Sequence, residues 1–368
     1  MNKARVIAFY LPQFHPIPEN DRWWMKGFTE WTNVGKARPL FPGHYQPKVP
    51  ADLGYYDLRV PETRKAQADM AKEYGIEGFC YWHYWFGNGK MLLQKPFEEV
   101  LRLGKPDFPF CLCWANHDWT TKTWVKGSSM VNNTMIAQQE YLGEQDDIKH
   151  FEYCLRAFKD HRYITIEGKP IFLIYDPLSF PNVKEFMNRW NFLAKKNNLK
   201  GIYFIGVTTG RQSSYKIVTN LGFDGVCHNR RWEAEAKAAG FRFVRRMQSL
   251  LGWHLGISLM KYDYNKVVRN YDTPENKLEN CYPVITPGFD RTPRAGRRAG
   301  IYVNSSPKNF KKHVAEVCKS IQDKDDDHRL VFLSAWNEWG EGNYMEPDLK
   351  WGHGYLEALK SVVKFQIK

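Results

Sequence analysis

The chain has 368 residues, of which 43% are hydrophobic and 25% charged, so it can form one large domain or two ordinary ones around a real core. No apolar run approaches the roughly 18 residues that a membrane span needs, and the apolar run after Met1 is too short for a secretory signal. The net charge of +13 admits anionic partners, including the surface of an anionic membrane. The basic residues are mostly interspersed with acidic ones, so nucleic acid is not expected as a partner.

The eight predicted strands are short apolar runs rich in β-branched and aromatic residues. In chain order they are Val6–Tyr10, Gly78–Trp82, Phe110–Trp114, Ile171–Tyr175, Tyr203–Val207, Gly225–His228, Val284–Thr286 and Val331–Ala335. Segments with helical spacing separate or follow most of them, namely Glu62–Tyr74, Pro96–Leu103, Glu144–Phe158, Asn182–Lys196, Tyr215–Leu221, Lys308–Ile321 and Gly354–Phe365.

Continuously hydrophobic strands that alternate with helices indicate a parallel sheet covered on both faces. Eight such units predict an α/β fold, a (β/α)8 TIM barrel. A doubly wound open sheet is the rival, but Tyr10-Leu-Pro-Gln-Phe-His15 follows the first strand in place of a glycine-rich turn. No linker or internal repeat divides residues 1–368, so we expect one domain. Two long strand-to-helix loops, Pro16–Leu58 and His228–Pro283, are expected to build the rim of an active site.

The seven cysteines occur in odd number, include no CxxC pair and lie mostly in apolar runs. This pattern indicates buried thiols in a reducing compartment, so a cytoplasmic location is predicted. They are Cys80, Cys111, Cys113, Cys154, Cys227, Cys281 and Cys318.

Aromatic residues make up 15% of the chain, with 14 Trp and 20 Tyr. Such an excess indicates either an aromatic-rich core or a cleft with flat, half-polar walls, as sugar-binding sites often have. Aromatic, amide, imidazole and carboxylate side chains also follow nearly every predicted strand, where barrel enzymes place their sites. The predicted substrate-binding residues are Tyr10, Gln13, His15, Trp31, Tyr45, His83, Tyr84, Trp85, Trp114, Asn116, Asp118, Trp119, Tyr175, Trp336, Asn337 and Trp339.

The sharpest signal follows the eighth strand, where Trp339 and Gly340 separate Glu338 from Glu341. On a continuous strand the two carboxylates would face opposite ways, but a turn can bring both into the barrel mouth. Glycoside chemistry typically uses such a pair, with one carboxyl kept protonated. An ExxE pair alone is more often solvated loop surface. The neighbouring aromatic residues reverse that preference here, so Glu338 and Glu341 are the predicted catalytic residues.

No metal or other cofactor is predicted. The histidines and nearby acids show no HxH or HExxH spacing, and Cys111 and Cys113 alternate on an apolar strand as core residues do. P-loop, serine-elbow and dinucleotide-binding fingerprints are also missing. The basic segment Arg291–Arg298 follows the seventh strand, so it either binds a phosphate-bearing substrate at the mouth or is a solvated loop.

Several motifs together carry a family resemblance that runs along the whole chain. They include Val6-Ile-Ala-Phe-Tyr-Leu-Pro-Gln-Phe-His-Pro16, Gly27-Phe-Thr-Glu-Trp-Thr-Asn33, Gly43-His-Tyr-Gln-Pro47, Gly75-Ile-Glu-Gly-Phe-Cys-Tyr-Trp-His-Tyr-Trp-Phe86 and Ala335-Trp-Asn-Glu-Trp-Gly-Glu-Gly342. The chain resembles the WbsX-type glycosyltransferase family, which is related to the endo-α-mannosidases and endo-α-mannanases of glycoside hydrolase family 99. The resemblance implies a barrel and a role in building bacterial O-antigen or capsule.

The resemblance also implies distinct roles for the two glutamates. Glu338 matches the residue that acts as base on the 2-hydroxyl of the sugar, and Glu341 matches the acid for the leaving oxygen, which then serves as base for the acceptor. One departure stands out. WbsX-type proteins commonly read Asn-Glu-Asn-Trp after the third strand, whereas this chain reads Asn116-His-Asp-Trp119. That difference leaves the identity of the donor or acceptor sugar open.

The leading hypothesis is an enzyme that cleaves or transfers a glycosidic bond, α-mannoside-like in linkage, during assembly of a surface polysaccharide. Its partner is a glycan, carried on a lipid pyrophosphate if the Arg291–Arg298 segment binds phosphate. One alternative is a catalytically inactive glycan-binding barrel with the same aromatic cleft. Another is a metal-dependent nucleotide-sugar transferase, although the sequence contains no DxD-type motif.

Overall fold

The computed structural model of the chain describes residues 4–121, 134–210, 213–240, 242–251 and 260–363. Eight parallel strands form its centre and confirm the eight predicted ones, with ends that differ by up to three residues. They are β1 (Arg5–Tyr10), β2 (Gly78–Trp85), β3 (Phe110–Trp114), β4 (Lys169–Ile174), β5 (Tyr203–Val207), β6 (Gly225–His228), β7 (Cys281–Ile285) and β8 (Leu330–Leu333).

The sheet is closed. Each strand pairs in parallel with the next one along the chain, and β1 also pairs with β8, with Val6 opposite Val331 and Ala8 opposite Leu333. This closure confirms the predicted (β/α)8 barrel and excludes the open doubly wound sheet, in which the two edge strands would stay unpaired.

The helices lie between and after the strands, and all seven predicted helices are present, with ends that coincide with the predicted ones or differ by one residue. The end of the last one, predicted at Phe365, lies outside the described residues. The helices are α1 (Pro18–Trp23), α2 (Glu30–Gly35), α3 (Pro61–Glu73), α4 (Lys95–Leu103), α5 (Glu144–Phe158), α6 (Val183–Lys196), α7 (Tyr215–Asn220), α8 (Arg231–Ala238), α9 (Arg242–Ser249), α10 (Tyr264–Val268), α11 (Thr292–Ala295), α12 (Pro307–Ser320) and α13 (Gly354–Val363).

Alternation along each strand divides the core into a barrel interior and a layer beneath the helices. On β1 the Phe9 ring points inward, where it stacks on Trp82 at 4.9 Å and on Phe332 at 5.4 Å between ring centroids. The next residue, Tyr10, points outward, and its hydroxyl donates a hydrogen bond to Gln67 of α3 at 2.6 Å. Aromatic rings therefore supply much of the packing on both sides of the barrel wall.

Strand β8 ends at Leu333, two residues earlier than predicted, and the following Ser334–Ala335 peptide bond is cis. The chain then forms a small hairpin in which Asn337–Glu338 pairs antiparallel with Asn343–Tyr344. A single 3-10 turn, Trp339–Glu341, connects the two short strands. The end of β8 is therefore a tight turn that projects from the barrel mouth.

The two long loops both fold over this end of the barrel. The first contains α1 and α2, and the N–H of Glu30 at the start of α2 donates to the carbonyl of Gln13 at 2.9 Å. The second contains α8, α9 and α10, which sequence periodicity did not reveal. In the described part of the chain, every helix is too short or too polar to cross a bilayer.

Candidate active site

The 3-10 turn after β8 brings the two predicted catalytic carboxylates together. Glu338 immediately precedes the turn and Glu341 ends it. In a 3-10 helix the side chains of residues three apart eclipse one another, so both carboxylates face the same side. Both line one cleft at the barrel mouth, which encloses about 1460 Å³ of empty space including its open side.

Hydrogen bonds tie the start of this turn to the end of β1. The side-chain oxygen of Asn337 accepts from the N–H of Leu11 at 2.7 Å, and its amide group donates to the Leu11 carbonyl at 3.0 Å. Asn337 is fully buried, so these two bonds satisfy polar groups that water does not reach. They hold Glu338, the next residue, at a constant position above the barrel.

A buried carboxylate behind the turn, that of Glu346, hydrogen-bonds the indole ring of Trp339. Glu346 Oε2 accepts from Trp339 Nε1 at 2.6 Å and from the Tyr56 hydroxyl at 2.8 Å. Its other oxygen accepts from Gln67 Nε2 at 2.6 Å. Burial raises the pKa of Glu346 to about 7, against the lowering effect of these donors. Glu346 thus connects the catalytic turn to the first loop and to α3.

Arg294 contacts both of the glutamates that were predicted to be catalytic. Arg294 of α11 donates to Glu338 Oε2 at 3.2 Å, and its Nη1 lies 2.8 Å from Glu341 Oε1. The same guanidinium group forms a two-pronged pair with the fully buried Glu30, at 2.9 and 3.0 Å. Because a two-pronged arginine–carboxylate pair fixes orientation as well as distance, Glu30 holds Arg294 between the two glutamates.

The electrostatic environments of Glu338 and Glu341 differ. Burial raises the pKa of Glu338 to about 7, with Arg294 lowering it and the neighbouring Glu341 and Glu30 raising it further. Glu341 lies near three guanidinium groups, because Arg291 Nε and Arg231 Nη1 are 3.5 and 3.9 Å from its oxygens in addition to Arg294. Glu341 therefore has more cationic neighbours than Glu338 has.

Six of the residues predicted from sequence meet in the cleft, together with aromatic and polar neighbours from most strand ends. The rings of Tyr84, Trp119 and Tyr175 supply flat surfaces, and Gln13 supplies an amide beside the carboxylate pair. The predicted residues that line the cleft are Gln13, Tyr84, Trp119, Tyr175, Glu338 and Glu341.

The other predicted binding residues lie away from the lining of this cleft, and many of them support its wall. Trp336 and Trp339 are fully buried. Trp85 stacks on His150 at 4.5 Å, and Tyr45 lines a second cavity on the far side of Phe289. This group comprises Tyr10, His15, Trp31, Tyr45, His83, Trp85, Trp114, Asn116, Asp118, Trp336, Asn337 and Trp339.

The two residues that depart from the family pattern point in different directions. His117 lines the cleft, and its ring packs against Tyr175 at 5.4 Å between centroids. Asp118 is exposed, and its carboxylate accepts from the backbone N–H of Gln139 at 2.7 Å. The imidazole of His117 therefore lies in the cleft, whereas the carboxylate of Asp118 lies outside its lining and hydrogen-bonds the backbone of Gln139.

One group of side chains in the described part of the chain has the composition of a metal site. His83, His150 and Cys154 are buried, and their ligand atoms lie within 4.8 Å of one another. The two Nε2 atoms are 2.8 Å apart, a distance at which one neutral ring donates to the other. Burial lowers the pKa of His83 to about 3 and that of His150 as well, so both rings are neutral. They lie outside the lining of the cleft.

Five cleft residues that matter for its charge and shape were absent from the predicted set. Trp82 is the last residue of the second predicted strand, and Arg294 lies in the basic segment Arg291–Arg298. Arg231 and Trp232 stand only three and four residues after β6, so a longer window at that strand end would have included them. Trp24 comes from the first long loop, where the adjacent tryptophans Trp23 and Trp24 belong to the motifs of the family resemblance and could have marked it.

The solved structures similar to this chain include proteins named as an endo-alpha-mannosidase and as glycoside hydrolase-like. Two structures of the GH99 endo-alpha-mannosidase from Bacteroides thetaiotaomicron are similar to this chain over its full length and over 98% of theirs, with TM-scores of 0.60 and 0.57 at 15% and 16% identity. A glycoside hydrolase-like protein is similar over 99% of this chain and 94% of its own, with a TM-score of 0.60 and 16% identity. The shared fold is the (β/α)8 barrel.

The sequence family described as Glycosyltransferase WbsX matches residues 6–359, so this chain belongs to the WbsX glycosyltransferase family. Two curated relatives, both called uncharacterized protein WxcX and both from Xanthomonas campestris pv. campestris strains, are 34% identical to it over 361 residues. The match covers 98% of this chain and 50% of each relative, so the chain spans half the length of those proteins.

Proposed function

We propose that this chain is an enzyme that cleaves or transfers a glycosidic bond, with Glu338 and Glu341 as its catalytic residues. The observation that carries the proposal is the position of both carboxylates on one 3-10 turn, facing an aromatic-lined cleft at the mouth of the barrel. Tyr84, Trp119 and Tyr175 offer ring faces for the C–H surfaces of sugars. The endo-alpha-mannosidase named among the structural relatives supports an α-mannoside-like linkage.

In the proposed reaction the sugar's own 2-hydroxyl oxygen attacks its anomeric carbon while Glu338 takes the hydroxyl proton. The bond to the bridging oxygen breaks, and Glu341 gives that oxygen a proton. In the second half, an acceptor oxygen attacks the anomeric carbon and reopens the small ring, while Glu341 takes the acceptor's proton and Glu338 returns its own to the 2-oxygen. Water as acceptor gives hydrolysis, and a sugar hydroxyl gives transfer.

The family description as a glycosyltransferase supports a role in the synthesis of a bacterial surface polysaccharide, such as O-antigen or capsule. The proposed substrate is a glycan, carried on a lipid pyrophosphate. With a net charge of +13, the protein is suited to a peripheral contact with an anionic membrane surface. The seven free, buried cysteines are consistent with the reducing cytoplasm in which we place the reaction.

The test is a substitution that removes the proposed acid while keeping the shape of the side chain. Glu341→Gln should lower kcat by about 10²–10⁴-fold on the glycan substrate, because an amide cannot protonate the leaving oxygen. Glycan binding, measured by intrinsic Trp fluorescence, should change little. Glu357→Gln, on the exposed face of α13, is the matched control and should leave turnover unchanged. Full activity in Glu341→Gln, or no turnover by the unsubstituted enzyme on any glycan, would overturn the proposal.

A further inference from the structure

Arg231 holds a cation in the cleft wall in an orientation set by two aromatic rings. It is the first residue of α8, and its guanidinium carbon lies 4.8 Å from the centroid of the Trp232 ring and 4.6 Å from that of Phe289. Stacking on aromatic faces restrains the plane of a guanidinium group and leaves its N–H edge available for hydrogen bonds. Arg231, Trp232 and Phe289 all line the cleft that contains Glu338 and Glu341.

The nearest carboxylates neutralise part of this charge without using its hydrogen-bonding edge. Arg231 Nε is 3.8 Å from Glu235, and Arg231 Nη1 is 3.9 Å from Glu341. Both distances exceed that of a hydrogen bond. Glu235 accepts a hydrogen bond from the Tyr302 hydroxyl at 2.9 Å. The side chain of Arg231 is 28% exposed, so a ligand in the cleft can reach its guanidinium group.

Among the described arginines that line the cleft, Arg231 is better placed than Arg294 to bind an anion. Glu338 and Glu341 are the carboxylates among the described lining residues, and Arg294 is occupied by both of them and by Glu30. The same cleft also presents neutral polar groups, those of Thr208, Asn229 and Tyr271. These groups can hydrogen-bond sugar hydroxyls without repelling a negative charge.

We propose that Arg231 forms an anion subsite that binds a carboxylate or phosphate group of the glycan beside the bond that is broken. This inference rests on the proposed function and adds the chemical class of its substrate. Arginine is suited to the task because its planar fork matches both groups with two parallel hydrogen bonds. The Arg291–Arg298 segment was the phosphate-binding candidate of the sequence, but its Arg294 contacts Glu338 and Glu341. The proposed anion contact is made by Arg231, which belongs to the second long loop.

An anion at Arg231 also bears on the acid chemistry of Glu341. Three guanidinium groups lie within 4 Å of Glu341, whereas the proposed reaction starts with a protonated Glu341. A negative group bound to Arg231 would offset part of that positive charge and raise the proton affinity of Glu341. Binding of an anionic substrate would therefore prepare the acid that the first step needs.

The binding test uses inorganic phosphate, glucuronate and glucose with the full chain, followed by isothermal titration calorimetry. We expect the two anions to bind in a salt-dependent way and glucose to bind weakly or not at all. Arg231→Gln should weaken anion binding by about 10-fold or more. Arg156→Gln, on the exposed face of α5, removes the same charge elsewhere and should leave binding unchanged. Tighter binding of glucuronate identifies a uronic acid as the source of the anion, and tighter binding of phosphate identifies a phosphorylated or pyrophosphate-linked glycan.

Equal anion binding by Arg231→Gln and the unsubstituted protein would overturn the subsite. If Arg231→Gln does not fold, as judged by circular dichroism, Arg231→Lys decides, because it keeps the charge but loses the fork and should bind the anions several-fold more weakly. Unreduced kcat/KM of the variant on an anionic glycan substrate would overturn the subsite and leave the proposed function intact. If anions bind but no glycan is turned over, the subsite stands and the proposed function is overturned.

Discussion

At the scale of single residues, the surroundings distinguish the two glutamates that we propose as catalytic residues. Glu338 is the more enclosed, with a side chain 14% exposed against 22% for Glu341, and Arg294 is the cation that it contacts at 3.2 Å. Glu341 receives Arg294 at 2.8 Å with two further guanidinium groups nearby. Two chemically identical side chains thus differ in the cations around them, and burial raises the pKa of Glu338 to about 7.

The raised pKa of Glu338 predicts how activity depends on pH. The proposed reaction starts with one proton on the pair, because Glu338 must be ionised and Glu341 protonated. The apparent pKa of about 7 belongs to the interacting pair and marks the loss of that proton, so kcat/KM should fall as the pH rises through about 7. Initial rates at subsaturating glycan, measured from pH 5 to pH 9, check the prediction. A rate that rises over the same range would contradict it.

At the scale of elements, the turn after β8 depends on a glycine between the two glutamates. A Cβ atom on Gly340 would lie 1.9 Å from Glu30 Oε1 and 2.9 Å from Arg294 Nε. The backbone of the turn therefore lies directly against the buried Glu30–Arg294 pair. Glycine is required here because it allows this close approach, which no other residue permits.

Gly340→Ala should therefore displace the Glu30–Arg294 pair and disturb both catalytic carboxylates. We expect a loss of unfolding free energy of about 1–3 kcal/mol from overpacking, and a loss of kcat of about 10-fold or more because a 1 Å misplacement in a catalytic site has that effect. Urea denaturation and initial rates measure the two quantities. Gly35→Ala is the control, since a Cβ there meets no atom within 4 Å. Equal stability and activity in Gly340→Ala would contradict the assigned packing.

A helix cap, as well as packing, positions the first long loop at the site. Thr29 caps α2 by accepting a hydrogen bond from Trp31, and the Thr32 side chain accepts from the Thr29 N–H. This capping box fixes where the short helix begins and so where Glu30 projects. Trp31 then packs on Trp339 at 5.5 Å between ring centroids, which joins α2 to the catalytic turn.

At the scale of the whole molecule, closure of the barrel brings residues from distant parts of the chain into one cleft. Glu30 and Arg294 are 264 positions apart in sequence but share two hydrogen bonds. Strand β1 pairs with both β2 and β8, so the loops that follow the first and last strands meet at the same mouth. The carboxyl ends of parallel strands gather in this way in every barrel, which is why the site is built there.

Barrel packing also predicts the reactivity of the cysteines. All seven are free and buried, and burial raises the pKa of each thiol. Because thiolate is the reactive form, the folded protein should react very slowly with Ellman's reagent, and all seven thiols should react after unfolding in guanidinium chloride. Absorbance at the thionitrobenzoate band counts them. A thiol that reacts in the folded protein as fast as free cysteine would contradict this burial.

The sequence by itself determined the eight strands, seven of the helices and the barrel that they form, because continuous apolar runs and helical spacing are local patterns. It also indicated Glu338 and Glu341, since both follow the last strand in an aromatic segment. The assignment of binding residues was coarser: proximity to a strand end does not say which way a side chain points, and Trp336, Trp339 and Asn337 turned out to be buried behind the cleft.

Only the tertiary structure decided which charges surround the two glutamates. Sequence did not reveal the roles of Glu30, Arg231 and Glu346, because their effects depend on contacts with residues far away along the chain. The fold follows from patterns that each segment carries alone. The proton affinity of Glu338, the orientation of Arg294 and the open edge of Arg231 follow from distances and burial, which arise when those segments pack together.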